Sequence, residues 1–195
     1  MASTKQLVIT IDGPAGAGKS TVARALADRL SYVYLDTGAI YRCVALMSQR
    51  QGASWCDQDA VAAVAQALAA DGMLRFERNA DGTQRVLVGS EDVSQAIRTP
   101  DISAGASTVS AHSKVRSALL DLQRNICSHG AVVMEGRDTG SVVYPHADVK
   151  FFMSATAEER ARRRFDELKA KGLEVDYNET LKEIIERDRR DSERK

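Results

Sequence analysis

The sequence is poor in the features that mark a disulfide scaffold, a zinc site or a membrane protein. Its three cysteines, Cys43, Cys56 and Cys127, are widely spaced and form no C-x-x-C pair, so they read as small core residues and not as bridges or ligands. No apolar run approaches the roughly 18 residues a membrane helix requires. Met1 to Gln6 leads into the first strand without the apolar stretch of a signal peptide. The expected compartment is therefore the cytoplasm, with no membrane partner. Charge of one sign is missing as well: 27 lysines and arginines face 27 acids, for a formal net charge of zero. Such a chain lacks the global positive field of a nonspecific nucleic-acid binder, and aromatics, at 5%, are too few to suggest a base-stacking platform. No N-K-x-D guanine-reading motif and no L-S-G-G-Q signature occurs, against a GTPase and a transporter ATPase. Internal repeats and low-complexity linkers are also absent, so 195 residues suit one domain with an insertion.

What is present centres on Gly13-Pro14-Ala15-Gly16-Ala17-Gly18-Lys19-Ser20-Thr21. This stretch has the spacing G-x-x-x-x-G-K-[ST], follows the strand-like run Leu7 to Asp12, and opens a helical pattern from Ser20 to Leu30. Glycines let the backbone fold into a nest of inward N–H groups, and the helix N-terminus adds its positive end, which together suit a triphosphate. Lys19 is expected to reach the β and γ phosphates, and the Ser20 hydroxyl to take a place on Mg²⁺.

Along the chain, Tyr32 to Asp36 is a second strand, and Thr37-Gly38 opens a second helix. Asp57 or Asp59 can cap an alanine-rich helix over 60–70. Residues 74–78 and 84–88 alternate as a hairpin around a turn at 79–82, with 91–93 as a short third strand. That pattern predicts a small antiparallel insert outside a parallel sheet. Residues 97–106, with Thr99-Pro100, read as a connector, and 113–128 as a helix. Ala131 to Glu135 and Val149 to Met153 read as strands buried on both faces. Thr156 with Glu159 forms a capping-box pattern before a charged helix over 157–171, and a last helix starts near Asn178. The strands near Val8, Tyr34, Val133 and Phe151 are expected to form the parallel sheet of an α/β P-loop core.

Four clusters carry further chemistry. Thr37 and Arg42 follow a strand's carboxyl end, where ligands sit in open α/β sheets, and could grip a second phosphate. Arg137 and Asp138, in Glu135-Gly136-Arg137-Asp138, offer a cation for phosphate beside an acceptor for base amino groups; the pair could equally be a salt bridge that holds the loop. Arg160 and Arg164 share one face of a helix, as do Arg187, Asp191 and Arg194 on the last one. Such runs can be solvated faces laced with ion pairs, but arginine outnumbers lysine here, and guanidinium suits bidentate phosphate contacts. A P-loop with further anion sites implies a donor nucleotide and a phosphorylated acceptor, hence a small-molecule kinase with an arginine-rich lid around Gly172.

With these motifs the chain resembles the nucleoside monophosphate kinases, and within them the bacterial-type cytidylate kinases, along essentially its whole length. Ile11-Asp12-Gly13-Pro14, residues 35–42, Gly136-Arg137-Asp138 and residues 187–191 carry the resemblance. It implies a single kinase domain over 1–195, with a core at about 1–70 and 113–155, an acceptor-binding insert at about 71–112, and lid and C-terminal helices at about 156–195. It implies ATP and CMP or dCMP as substrates, Mg²⁺ as cofactor, no nucleic-acid partner and a monomer. By the same resemblance Thr37, Arg42 and Arg137 hold the acceptor phosphate, while Arg116, Asp138 and Arg194 read the cytosine edge. Asp191 contacts the sugar with Ser107 in support, Arg187 sits near the transferring phosphate, and Arg160 and Arg164 serve the donor side. The family often has serine where Thr37 stands, and the threonine keeps the hydroxyl. The family also continues beyond the position of Lys195 into a final strand and helix, so a truncated chain or a sheet one strand short is expected.

Overall fold

The computed structural model describes residues 6–70, 72–79, 84–170 and 172–193. Arg194 and the centre of the 79–82 turn lie outside them. In chain order the elements are β1 (Val8–Asp12), α1 (Lys19–Leu30), β2 (Val33–Asp36), α2 (Thr37–Arg50), α3 (Gln58–Ala69), β3 (Leu74–Arg78), β4 (Gln84–Val88) and β5 (Glu91–Asp92). There follow α4 (Pro100–Val109), α5 (Ser113–Cys127), β6 (Val132–Gly136), β7 (Val149–Phe152), α6 (Ala157–Ala170) and α7 (Tyr177–Ser192).

Strands β2, β6, β1 and β7 form one parallel sheet in that order, with Ile9 beside Val133 and Val149. Side chains alternate across a strand, and the alternation divides the core. Ile9, Ile11, Tyr34 and Val133 pack with Ala23 and Ala27 of α1 on one face. Val8, Leu35, Val132 and Met134 point to the other, where they join Ile40 and Val44 of α2 and Val115 and Leu119 of α5. Burying side chains such as Leu35, Ile40 and Met134 stabilises by about 1.5–3 kcal/mol each. The strand ends that carry the chemistry are therefore firmly fixed.

The antiparallel insert is the expected hairpin plus a short strand, ordered β3-β4-β5. Its Leu74, Val86 and Val93 belong to the same hydrophobic cluster as Leu35 and Met134. Gln84 donates from Nε2 to the Tyr34 carbonyl at 2.5 Å, so the insert also caps β2, the edge strand.

Two expectations fail. Residues 97–106 are not a connector: a 3₁₀ turn over Ala96–Arg98 leads into α4. Thr99 accepts at Oγ1 from the Ile102 N–H at 3.3 Å, and Pro100 occupies the first turn, where its missing N–H costs nothing. A threonine-proline pair that reads as a break is thus a helix start. The second failure is β7, which is not buried on both faces. It stands at the sheet edge, with Phe151 51% and Phe152 72% exposed, because no described helix covers its outer flank.

Candidate active site

The loop between β1 and α1 is shaped by close contacts that only glycine allows. Gly13 has φ 145°, and a Cβ there would lie 2.0 Å from the Met153 carbonyl oxygen. Gly16 has φ 77° and faces the Cβ of Arg160 at 3.2 Å, so the first turn of α6 rests directly on the loop apex. Gly18 caps α1 in the left-handed conformation, leaving the helix N-terminus open to an anion. Asp12, at the end of β1, points away from this nest. Its carboxylate accepts from the N–H and hydroxyl of Thr139 and the N–H of Gly140 at 2.7–2.9 Å, fixing the π-helical turn Thr139–Val143 beside Arg137 and Asp138.

Lys19 is buried within the loop and donates to the Pro14 carbonyl at 2.8 Å. Burial, and next the Arg137 guanidinium, lower its pKa from 10.5 to about 8; Glu135 opposes the shift and Arg187 adds to it. The unfolded chain therefore binds the proton more tightly, and Lys19 contributes stability that increases as pH rises from about 8 to 10.5. A polyphosphate beside the ammonium reverses the balance and raises this pKa. Above pH 8, ATP binding is expected to be accompanied by net proton uptake at Lys19. Titration calorimetry in two buffers of different ionisation enthalpy checks it; identical heats would refute it.

The Ser20 hydroxyl donates to Glu135 Oε1 at 2.7 Å, and the Tyr34 hydroxyl reaches the same oxygen at 2.6 Å. Glu135 Oε2 is buried with no hydrogen-bond partner among the described residues. Burial, then the charge of Asp36, raise the Glu135 pKa, while the Tyr34 and Ser20 hydrogen bonds lower it in part. A half-satisfied buried carboxylate beside a P-loop hydroxyl is a suitable oxygen donor set for a hard dication. Glu135 was missed as a site residue in the sequence. Its only signal is an acid closing an apolar strand, a signal Asp36 shares.

A cavity of about 100 Å³ brings Thr37, Arg42, Ser107, Arg116, Arg137, Asp138 and Arg187 together, with Tyr41, Ser103 and Ser110. Asp36 caps α2 by accepting from the Ala39 N–H at 3.1 Å and holds Arg42 at 2.5 Å. The Thr37 hydroxyl donates to the Glu135 carbonyl at 2.7 Å. Ser107 is buried, and its hydroxyl has no partner among the described residues. Arg116 is aimed from α5 by donating to the Ser110 and Ala111 carbonyls at 3.0 and 2.7 Å. Asp191 joins the pocket through Arg137, whose Nε it binds at 2.7 Å, and does not itself form part of the wall.

This cavity shares Ser103, Ser107 and Arg187 with a cleft of about 600 Å³ lined also by Ala15, Gly16, Arg164 and Arg190. Ser103, Ser107 and Arg187 therefore stand between the smaller cavity and a cleft that reaches the loop apex at Ala15 and Gly16. Arg164 faces that cleft and pairs with Glu167 at 3.3 Å. Arg160 does not face it. Its side chain is 4% exposed and makes four hydrogen bonds, one of them to the Ala15 carbonyl at the loop apex. Helix α7 starts at the Asp176 cap and packs on α6, with Phe165 and Tyr177 edge to face at 6.1 Å.

The cytidylate kinase family model matches residues 9–195 of this chain. A cytidylate kinase of Syntrophotalea carbinolica is 54% identical over 190 residues, covering 97% of this chain and 79% of that protein. One from Geobacter sulfurreducens is 52% identical over 193 residues, covering 99% and 81%. Among solved structures, a shikimate kinase from Acinetobacter baumannii in complex with shikimate has a TM-score of 0.42 and 16% identity, covering 97% of this chain and 80% of that one.

Proposed function

The chain belongs to the cytidylate kinase family, which transfers a phosphoryl group from ATP to CMP or dCMP, and we propose that Gly13–Thr21 holds the donor while the pocket between α4 and β6 holds the acceptor. The observation that supports this division is Arg187, which lies on the wall of both cavities, one of which reaches the loop apex at Ala15 and Gly16. In-line transfer needs donor and acceptor phosphates face to face, with cations at the point of transfer and water excluded.

The chain's own groups divide the work by charge and geometry. Lys19 and the N–H groups of the P-loop neutralise the donor phosphates. Thr37, Arg42 and Arg137 receive the acceptor phosphate, whose oxygen is already ionised and needs no general base. Because Arg42 and Arg137 already pair with Asp36 and Asp191, the phosphate competes with those carboxylates as it enters. Arg187 bridges the two halves as charge shifts between them. Ser20 and Glu135 would hold Mg²⁺, which supplies charge neutralisation to the donor phosphates. The Ser107 hydroxyl is left for the sugar, and Asp191, held on Arg137, would contact the sugar as well. Arg116 and Asp138 present a donor and an acceptor to the pyrimidine edge, the complement of cytosine and the reverse of uracil. Arg194 was expected to join them and lies outside the described residues. A monomer acting in the cytoplasm accords with this reading.

The direct test is ADP formation from ATP and Mg²⁺ with CMP, dCMP, UMP, AMP, GMP and dTMP supplied in turn. CMP and dCMP are expected to lead the others. In the Asp138→Ala variant, kcat/KM for CMP is expected to fall about 10²–10³-fold while the dissociation constant for ATP changes less than about twofold. Equal losses on the two substrates would remove Asp138 from the base.

A further inference from the structure

Arg160 makes four hydrogen bonds among the described residues, and every one of them is positional. Its Nε donates to the Ala155 carbonyl at 2.9 Å, and Nη1 to the Ala15 carbonyl at 3.1 Å. Nη1 and Nη2 clasp the two carboxylate oxygens of Asp188 at 3.0 and 2.5 Å. Asp188 belongs to α7, one residue after Arg187, which faces the acceptor cavity, and three before Asp191, which holds Arg137. A single guanidinium thus ties the P-loop apex, the start of α6 and the functional face of α7. Fork-to-fork arginine–carboxylate pairs fix angle as well as distance.

We propose that Asp188 is a positioning residue for the donor site: by clamping Arg160 it keeps the Ala15 carbonyl turned outward, so that the neighbouring loop N–H groups face the phosphates. The same clasp withholds Arg160 from the nucleotide. Opposite signs follow for one substitution. If Arg160 were a phosphate ligand restrained by Asp188, removing the carboxylate charge would release it and tighten ATP binding. If it holds the loop, the same change loosens the loop and weakens ATP.

This inference rests on the reading of Gly13–Thr21 as the donor loop, which loss of ATP binding in Lys19→Ala tests separately. In Asp188→Asn, whose side chain keeps the shape and one acceptor oxygen, the dissociation constant and KM for ATP are expected to rise about tenfold. The dissociation constant for CMP alone, measured by calorimetry, is expected to stay within about twofold, and Asp188→Glu to recover part of the ATP affinity. Arg160→Lys, which keeps charge but cannot fork, is expected to match Asp188→Asn. Unchanged or tighter ATP binding in Asp188→Asn overturns the proposal. So does an equal loss for ATP and CMP, which marks a general loosening of α7. If Asp188→Asn unfolds, Arg160→Lys answers the same question by the same pair of dissociation constants.

Discussion

Replacing Lys19 by alanine is expected to lower kcat/KM for ATP by about 10³-fold or more while leaving the fold intact. Lys19 is the cation inside the nest, and removing even one preorganised donor from a transferring centre costs about 10²–10³ in rate. Little stability is expected to go with it, because the fold disfavours its charged form at neutral pH. Burial and the two nearby arginines oppose its charge, which is the meaning of a pKa lowered to about 8. Circular dichroism and thermal melting separate the two effects: the variant should melt no lower than the parent at pH 7 while turnover collapses. Turnover within about tenfold of the parent would remove the P-loop from the mechanism.

Arg137→Ala is expected to lower kcat/KM for CMP by about 10- to 10²-fold, and here stability falls too. The guanidinium makes a charge-assisted bond to the acceptor phosphate in the proposed scheme, a contact of about 1.5–3 kcal/mol. Its removal also takes the Arg137 partner from Asp191, whose side chain is only 10% exposed, and losing one member of a largely buried pair lowers stability. Adding Asp191→Asn should restore the melting temperature of Arg137→Ala without restoring turnover. Recovery of both would show that Arg137 serves only to neutralise Asp191, the salt-bridge alternative that its sequence context leaves open.

Local signals brought much of this site within reach of the sequence. The P-loop is recognisable because its spacing, the strand before it and the helix after it are all encoded within about 25 residues. Thr37, Arg42, Arg137 and Asp138 stand just beyond strands, where the parallel sheet places its ligands. What could not be read depends on contacts across the chain. Arg160 and Arg164 are equivalent by helical spacing, yet Asp188, 28 residues away from Arg160, takes one and leaves the other on the cleft. The apolar run at β7 is as hydrophobic as β6, but which of the two becomes an edge depends on strand order. Glu135 looked like the end of a strand because its partners, Ser20 and Tyr34, lie more than 100 residues upstream.

The carboxylates already seated on Arg42 and Arg137 bear on a side reaction, the hydrolytic leak of ATP. A water molecule arriving in place of the nucleotide carries no net charge and cannot compete with Asp36 or Asp191 for a guanidinium. A phosphate dianion can, since it offers more charge to the same donors. In the proposed scheme the arginines leave their carboxylates only for a molecule that brings its own anion. Selectivity for a nucleotide over water is, on that scheme, a property of two ion pairs, before any part of the protein has to close.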